Sequence, residues 1–164
     1  MPMLERIKEY SKWAFYVAIL LTVAFIFRNS MLPPEESSAE SETVGGIISE
    51  IIPPDTDLGS FILENLRKIA HFTEYGLLGI EIALYVCIYV EKKWIYALSS
   101  AAVPFAVGFF DETIQEFSGR GPAIADVWID IGGFITFSCI TYAAFFAVYM
   151  VVKLILSKRR SCKE

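Results

Sequence analysis

Long apolar runs alternate with polar stretches along the chain, and this pattern predicts membrane-spanning helices. Four runs approach or exceed the roughly 20 residues that a helix needs to cross the hydrocarbon layer. They cover about residues 11–28, 69–90, 94–110 and 125–152. Pro104 and Gly108 inside the third run predict a kink. The fourth run is longer than the layer is thick, which predicts a tilted helix or one whose first turns stand in a polar recess.

The stretch between the first two runs, residues 29–67, is too long to be a plain connection. It is rich in Asp and Glu and contains no Lys or Arg before Arg67. Apolar residues from Val44 to Ile52 recur at helical spacing and predict a short amphipathic helix. This helix is expected either to rest on the outer membrane surface or to form a flap over a site beneath it. Asp55 or Asp57 is expected to cap a further helix that leads into the second span.

The basic residues predict how the chain is oriented. Lys and Arg precede the first run, separate the second from the third, and follow the fourth. Because such residues are enriched in cytoplasmic segments, both termini are predicted to be cytoplasmic, and segments 29–67 and 111–125 are predicted to lie outside. With 164 residues, 55% of them hydrophobic, the chain is expected to form one all-α domain, residues 1–164, folded as an integral membrane four-helix bundle.

Ionisable residues inside these spans indicate a polar site. On a helix, Lys68, His71, Glu74 and Glu81 are spaced by three, three and seven residues, so they share one face. Charged groups are costly in lipid, so this face is predicted to look into the bundle or into water. Further polar residues gather at the same outer level, namely Arg28, Asp111, Glu112, Gln115, Arg120, Asp126 and Asp130. The sequence therefore predicts one polar recess below the outer membrane surface. The alternative is that pairs such as Arg120–Asp111 and Lys68–Asp126 simply hold helices together.

Three motifs occur in a fixed order, and they resemble the VanZ-like family of membrane proteins. They are "RKIAHFTEYGLLG", "DETIQEFSGR" and "ADVWIDIGG". "FRNSM" at the end of the first span and the acidic segment after it are also similar to the family. The positions that match the family pattern are Lys68, His71, Tyr75, Asp111, Glu112, Gln115, Gly119, Arg120, Asp126, Asp130 and Gly133. Two departures are a shorter gap before Gly119, with Pro122 after rather than before Gly-Arg, and Asp130 where many members have asparagine.

The resemblance implies a protein of the bacterial plasma membrane, associated with tolerance to the glycopeptide teicoplanin. One hypothesis is that the recess binds an anionic amphiphile, a membrane lipid or a lipid-linked envelope precursor, or an acylated glycopeptide. Basic groups would hold its phosphate or carboxylate. The predicted binding residues are Arg28, Lys68, Tyr75, Glu112, Gln115, Arg120, Asp126 and Asp130. The basic tail adjoins a span, which favours anionic lipid over nucleic acid as a partner.

A second hypothesis is a membrane-embedded enzyme. His71 would be the general base, oriented by Glu74 or Asp111. The chain has no Gly-rich phosphate loop, GxSxG or HExxH motif, so the sites that these motifs mark are set aside. No cofactor is expected. A divalent metal such as magnesium, calcium or manganese is an alternative, with candidate ligands His71, Glu74, Asp111, Glu112 and Asp126. A third hypothesis is a structural or partner-binding membrane protein.

Overall fold

The regular structure of the chain is helical throughout the residues described. The computed structural model describes residues 3–91, 93–121 and 123–161. Its helices are α1 (Met3–Met31), α2 (Pro34–Ile51), α3 (Asp57–Glu64), α4 (Leu66–Tyr89), α5 (Lys93–Ser100), α6 (Ala102–Phe117) and α7 (Ile124–Ser161). The expectation of an all-α chain is confirmed for this part of the protein.

Four segments of the described chain are long and apolar enough to cross a membrane. They are Arg6–Met31, Leu66–Tyr89, Lys93–Phe117 and Ile124–Lys158. Large apolar side chains such as Leu20, Phe109 and Phe146 are exposed on their outer faces, as expected for helices that meet lipid rather than water. The four predicted spans are thus confirmed, although each helix extends beyond at least one predicted end. The side of the membrane on which each terminus lies stays a prediction.

The third span differs most from its prediction. It consists of two helices, α5 and α6, which are separated at Ala101, three residues before Pro104. Proline has no N–H and clashes with the carbonyl four residues earlier, so the break falls ahead of it. The predicted end at residue 110 was wrong, since α6 continues to Phe117. Hydropathy falls at Asp111, but the helix persists because Asp111 and Gln115 point inward and are fully buried.

Helices α4 and α7 make the closest contact in the bundle, through glycines. An ideal Cβ at Gly133 would lie 2.2 Å from the carbonyl oxygen of Phe72, and one at Gly79 would lie 2.5 Å from that of Phe134. Only a residue without a side chain fits at these points, as is common where membrane helices pack. The Ser138 hydroxyl adds a 3.1 Å hydrogen bond to the carbonyl of Gly79. This contact brings the N-terminal halves of α4 and α7 together.

Helix α1 runs antiparallel to α4 and is joined to it by polar contacts along its length. The contacts are Tyr89–Ser11 at 2.6 Å, Tyr16–Tyr85 at 2.6 Å, Thr22–Glu81 at 2.9 Å and Asn29–Glu74 at 2.8 Å. Hydrogen bonds between helices satisfy polar groups that lipid cannot. The contacts also explain why α4 tolerates Glu74 and Glu81, since both face α1 instead of lipid.

Two helices, α2 and α3, occupy the acidic segment between the first two spans. Helix α2 is longer than the predicted amphipathic helix, and Gly45 does not break it because it packs towards Leu63 and Leu66. The N-cap of α3 is Thr56, whose hydroxyl accepts a 3.0 Å hydrogen bond from the Gly59 N–H. The expected capping by Asp55 or Asp57 was therefore wrong. A threonine oxygen serves the same purpose, because it also accepts from the free N–H groups of the first turn.

Candidate functional site

His71 lies between two buried aspartates that come from different helices. Its Nδ1 is 3.2 Å from Asp130 Oδ1 and 3.7 Å from Asp111 Oδ2. Helices α4, α6 and α7 thus each supply one group, and both aspartates are completely buried. The close approach of α4 and α7 at Gly133 produces the arrangement, because Phe72 follows His71 and Asp130 precedes Gly133 by less than one turn.

A chain of hydrogen bonds connects Asp111 to a neighbouring helix and to the surface. Ser30 on α1 donates its hydroxyl to Asp111 Oδ1. Gln115 Nε2 donates to Asp111 Oδ2 and to Glu112 Oε1, at 3.3 Å each. Arg67 Nη2 then donates to Gln115 Oε1 at 2.6 Å. Ser30 and Gln115, which donate these hydrogen bonds to Asp111, are both neutral. Arg67 is linked to Asp111 only indirectly, through the side-chain amide of Gln115.

The turn after α6 places a buried arginine beside this network. Gly119 has a φ of +76°, a conformation that glycine adopts without strain and that reverses the chain here. Arg120 follows, is only 7% exposed, and donates from Nη1 to the Asn29 carbonyl at 2.7 Å. Its Nε is buried with no hydrogen-bond partner. Burial lowers the pKa of the Arg120 guanidinium, and the nearby Arg67 lowers it further.

Next to these groups lies a cavity of about 410 Å³. Its polar lining includes His71, Glu74, Arg67 and Arg120. Its apolar lining comprises Phe25, Leu32, Val44, Ile48, Leu66, Ile69 and Ala70. Helix α2 contributes one wall, so the cavity lies between α1, α2 and α4. A second cavity of about 480 Å³, under the start of α2, also includes Arg67 and Arg120.

The structure brings together most residues that the sequence analysis singled out. His71, Tyr75, Asp111, Glu112, Gln115, Arg120 and Asp130 are buried at the junction of α4, α6 and α7, and Glu74 lines the cavity beside them. Glu112 is fixed by a 2.8 Å hydrogen bond from the Ala123 N–H. Arg28 lies at the cavity rim, where it forms a 3.0 Å ion pair with Glu40 of α2.

Two predicted site residues stand apart from this group. Lys68 is exposed and does not line the 410 Å³ cavity. Asp126 is half-buried, one turn before Asp130. The ion pairs Arg120–Asp111 and Lys68–Asp126, which the alternative interpretation named as links between helices, do not occur among the residues described. Pro122, which departs from the family pattern, lies outside the described residues.

Three contributors were not in the predicted set: Asn29, Ser30 and Arg67. Asn29 donates to Glu74, Ser30 donates to Asp111, and Arg67 takes the place expected for Lys68. The sequence did carry a signal for the first two, because both lie in "FRNSM". The signal for Arg67 was weaker, since a helix turns by about 100° per residue and sequence alone does not show which of two adjacent cations faces inward.

The chain matches a known protein family. The model of the VanZ/LLP1 family matches residues 14–153, which is most of the chain. The chain belongs to the VanZ/LLP1 family. No curated protein and no solved structure is significantly similar to it. The match includes every residue of the buried group at the junction of α4, α6 and α7, so the resemblance inferred from three motifs is confirmed.

Proposed function

We propose that this VanZ/LLP1 family member binds an anionic amphiphile, such as a lipid-linked envelope precursor, in the 410 Å³ cavity. The observation that carries the proposal is that two arginines of the cavity have no carboxylate partner. Arg67 and Arg120 both line the cavity, and neither lies within 4.0 Å of a carboxylate oxygen in the described part of the chain. Guanidinium groups that line a cavity and make no ion pair favour a phosphate or carboxylate ligand.

The acidic residues of the cavity do not remove this preference. Glu74 accepts a hydrogen bond from Asn29, and Glu40 is paired with Arg28. Each carboxylate is therefore already engaged with another partner. Arg67 and Arg120 are the arginines of the lining that make no ion pair in the described part of the chain, and Arg120 also has a buried N–H group without a hydrogen-bond partner.

The rest of the cavity suits a hydrocarbon chain. Phe25 is half exposed on the outer face of α1, which in a membrane protein faces lipid. Together with Ile69 and Ala70 it forms a wall along which an acyl or polyprenyl chain would lie. A volume of about 410 Å³ is within the range of small-molecule sites. A ligand with a charged head and an apolar tail fits both ends of this lining.

The distribution of Lys and Arg supports an orientation with both termini in the cytoplasm and the cavity at the outer face of the bacterial plasma membrane. An outward-facing site for lipid-linked precursors would affect the amount of precursor that a glycopeptide can reach. It would also accept the acyl tail of teicoplanin. Either route would give teicoplanin tolerance as a consequence of amphiphile binding.

The test is binding in nanodiscs of zwitterionic lipid, with a fluorescent polyprenyl phosphate as the probe. We expect Arg120→Gln and Arg67→Gln each to weaken binding about tenfold or more, the loss of a charge-assisted hydrogen bond of about 1.5–3 kcal/mol. Lys153→Gln, an exposed cation near the other end of α7, is the matched control and should bind as the wild type does. A polyprenol without phosphate should bind weakly to all of them. Wild-type affinity in both arginine variants would refute the proposal.

A second function, catalysis on such a ligand, is favoured by the position of His71. The ring lines the cavity, while its Nδ1 is occupied by Asp130. This orientation leaves Nε2, on the opposite edge of the ring, as the nitrogen to accept a proton from a substrate. Chromatography of a polyprenyl pyrophosphate-linked precursor after incubation with the protein tests it. We expect the wild type to form a product and His71→Gln to form none. If the wild type leaves the precursor unchanged, the catalytic function is refuted and only the binding function remains.

A further inference from the structure

We propose that His71, Asp111 and Asp130 form a binding site for a divalent transition-metal cation. The three side chains converge from α4, α6 and α7, and their ligand atoms lie within 4.8 Å of one another. All three residues are buried. This site shares His71 with the arginine-lined cavity but includes neither Arg67 nor Arg120, so metal binding can be tested independently of amphiphile binding.

The distances suit a shared ion. Two ligands that each lie about 2.1 Å from one metal are about 3.0–3.4 Å apart, depending on geometry. The 3.2 Å between His71 Nδ1 and Asp130 Oδ1 falls in this range, and the 3.7 Å to Asp111 Oδ2 lies slightly outside it. Small side-chain rotations would therefore complete the set without moving a helix.

The local charge also calls for a cation. Two aspartates are fully buried beside a single histidine. With both aspartates ionised, even a protonated histidine leaves one negative charge uncompensated among these three groups, which is costly away from water. A divalent cation bound by a neutral imidazole and two carboxylates gives a net charge of zero.

Two polar atoms without partners lie at the same place. The Tyr75 hydroxyl and Asp130 Oδ2 are completely buried, and neither makes a well-oriented hydrogen bond. Both face Gly108 on α6, where an ideal Cβ would lie 3.7 Å and 3.5 Å from them. Asp130 Oδ2 is thus free to bind metal, and Tyr75 is placed to donate to a metal-bound water or carboxylate.

The ligand set favours manganese or zinc. One imidazole nitrogen with two carboxylates is typical of these ions, whereas calcium prefers six to eight oxygens. The set also revises the metal ligands expected from the sequence. His71 and Asp111 are kept and Asp130 is added, while Glu74, Glu112 and Asp126 are not part of the cluster of converging ligand atoms.

The experiment uses the full-length protein in detergent, stripped with EDTA and then titrated with Mn²⁺. Bound metal is measured by elemental analysis, and loss of the free-Mn²⁺ signal is followed by electron paramagnetic resonance. A parallel titration uses Zn²⁺. We expect one ion per chain in the wild type, and at least tenfold weaker binding in Asp130→Asn and Asp111→Asn. Glu116→Gln, which removes an exposed acid from the same helix as Asp111, should bind as the wild type does.

Binding far below one ion per chain in the wild type, for both metals, would overturn the proposal. So would full retention of the ion in both asparagine variants. If one asparagine variant does not fold, metal binding by the other variant and the number of ions per wild-type chain still test the proposal. Arg120→Gln should keep the ion, so failure of the metal site and failure of the amphiphile site are told apart.

Discussion

Replacing Gly133 by alanine tests how the contact between α4 and α7 builds the site. The new Cβ would lie 2.2 Å from the Phe72 carbonyl oxygen, 2.9 Å from its carbon and 3.1 Å from the Phe72 Cα. All three are backbone atoms, so no side chain can rotate away. The two helices have to move apart instead.

The required movement is large compared with the tolerance of the site. Real Cβ atoms essentially never approach other atoms below 3.0 Å, so the backbones have to separate by about 0.8 Å. His71 and Asp130 flank this point, and their 3.2 Å contact would then exceed hydrogen-bonding distance. Overpacking of this kind costs about 1–3 kcal/mol, and the lost hydrogen bond adds about 1 kcal/mol.

Gly132→Ala provides a matched control in the neighbouring position. Its Cβ would meet only the Phe72 ring, at 3.9 Å, which is an ordinary contact. Both changes alter helix propensity equally, so the difference between them isolates the packing effect. Thermal unfolding in detergent should show Gly133→Ala less stable than Gly132→Ala by about 2–4 kcal/mol, with metal binding impaired in Gly133→Ala alone. Equal stability and equal metal binding would refute the reasoning.

Two further predictions concern the polar contacts of α1 and the orientation of the chain. Thr22→Val removes the 2.9 Å hydrogen bond to Glu81, whose other oxygen already has no partner, and we expect it to lower the free energy of unfolding by about 1–3 kcal/mol. Thr22→Ser should restore the stability and the control Thr113→Val should not change it, whereas an unchanged stability in Thr22→Val would contradict the prediction. In a variant without native cysteines, E42C should react with a membrane-impermeant maleimide in intact cells, whereas S157C should react only after permeabilisation; the reverse pattern would show that the predicted orientation is wrong.

Much of this fold follows from local sequence properties. Hydropathy depends on residues close together in the chain, so the four spans could be placed without any tertiary information. The ends were less accurate, as the third span shows. Asp111 and Gln115 lower the hydropathy where α6 continues, because a polar residue that faces the bundle interior is compatible with a span.

The composition of the site could be predicted better than its contacts. His71, Asp111 and Asp130 were all expected to lie in one polar recess, and they do lie together. The choice of His71 partner was not predictable, because Glu74 is on the same helix while Asp130 is 59 residues away. Glu74 instead accepts from Asn29 on α1, a contact set by how α1 packs against α4.

The sequence by itself determined the all-helical class, the four apolar spans, the family and the set of ionisable groups placed within the spans. The tertiary structure alone decided that Arg67 rather than Lys68 reaches the cavity, and that two aspartates from different helices share one histidine. The reason is that local sequence does not fix the rotation of each helix about its own axis. Adjacent helical residues point about 100° apart, and only packing at glycines such as Gly133 fixes how each helix is turned towards its neighbours.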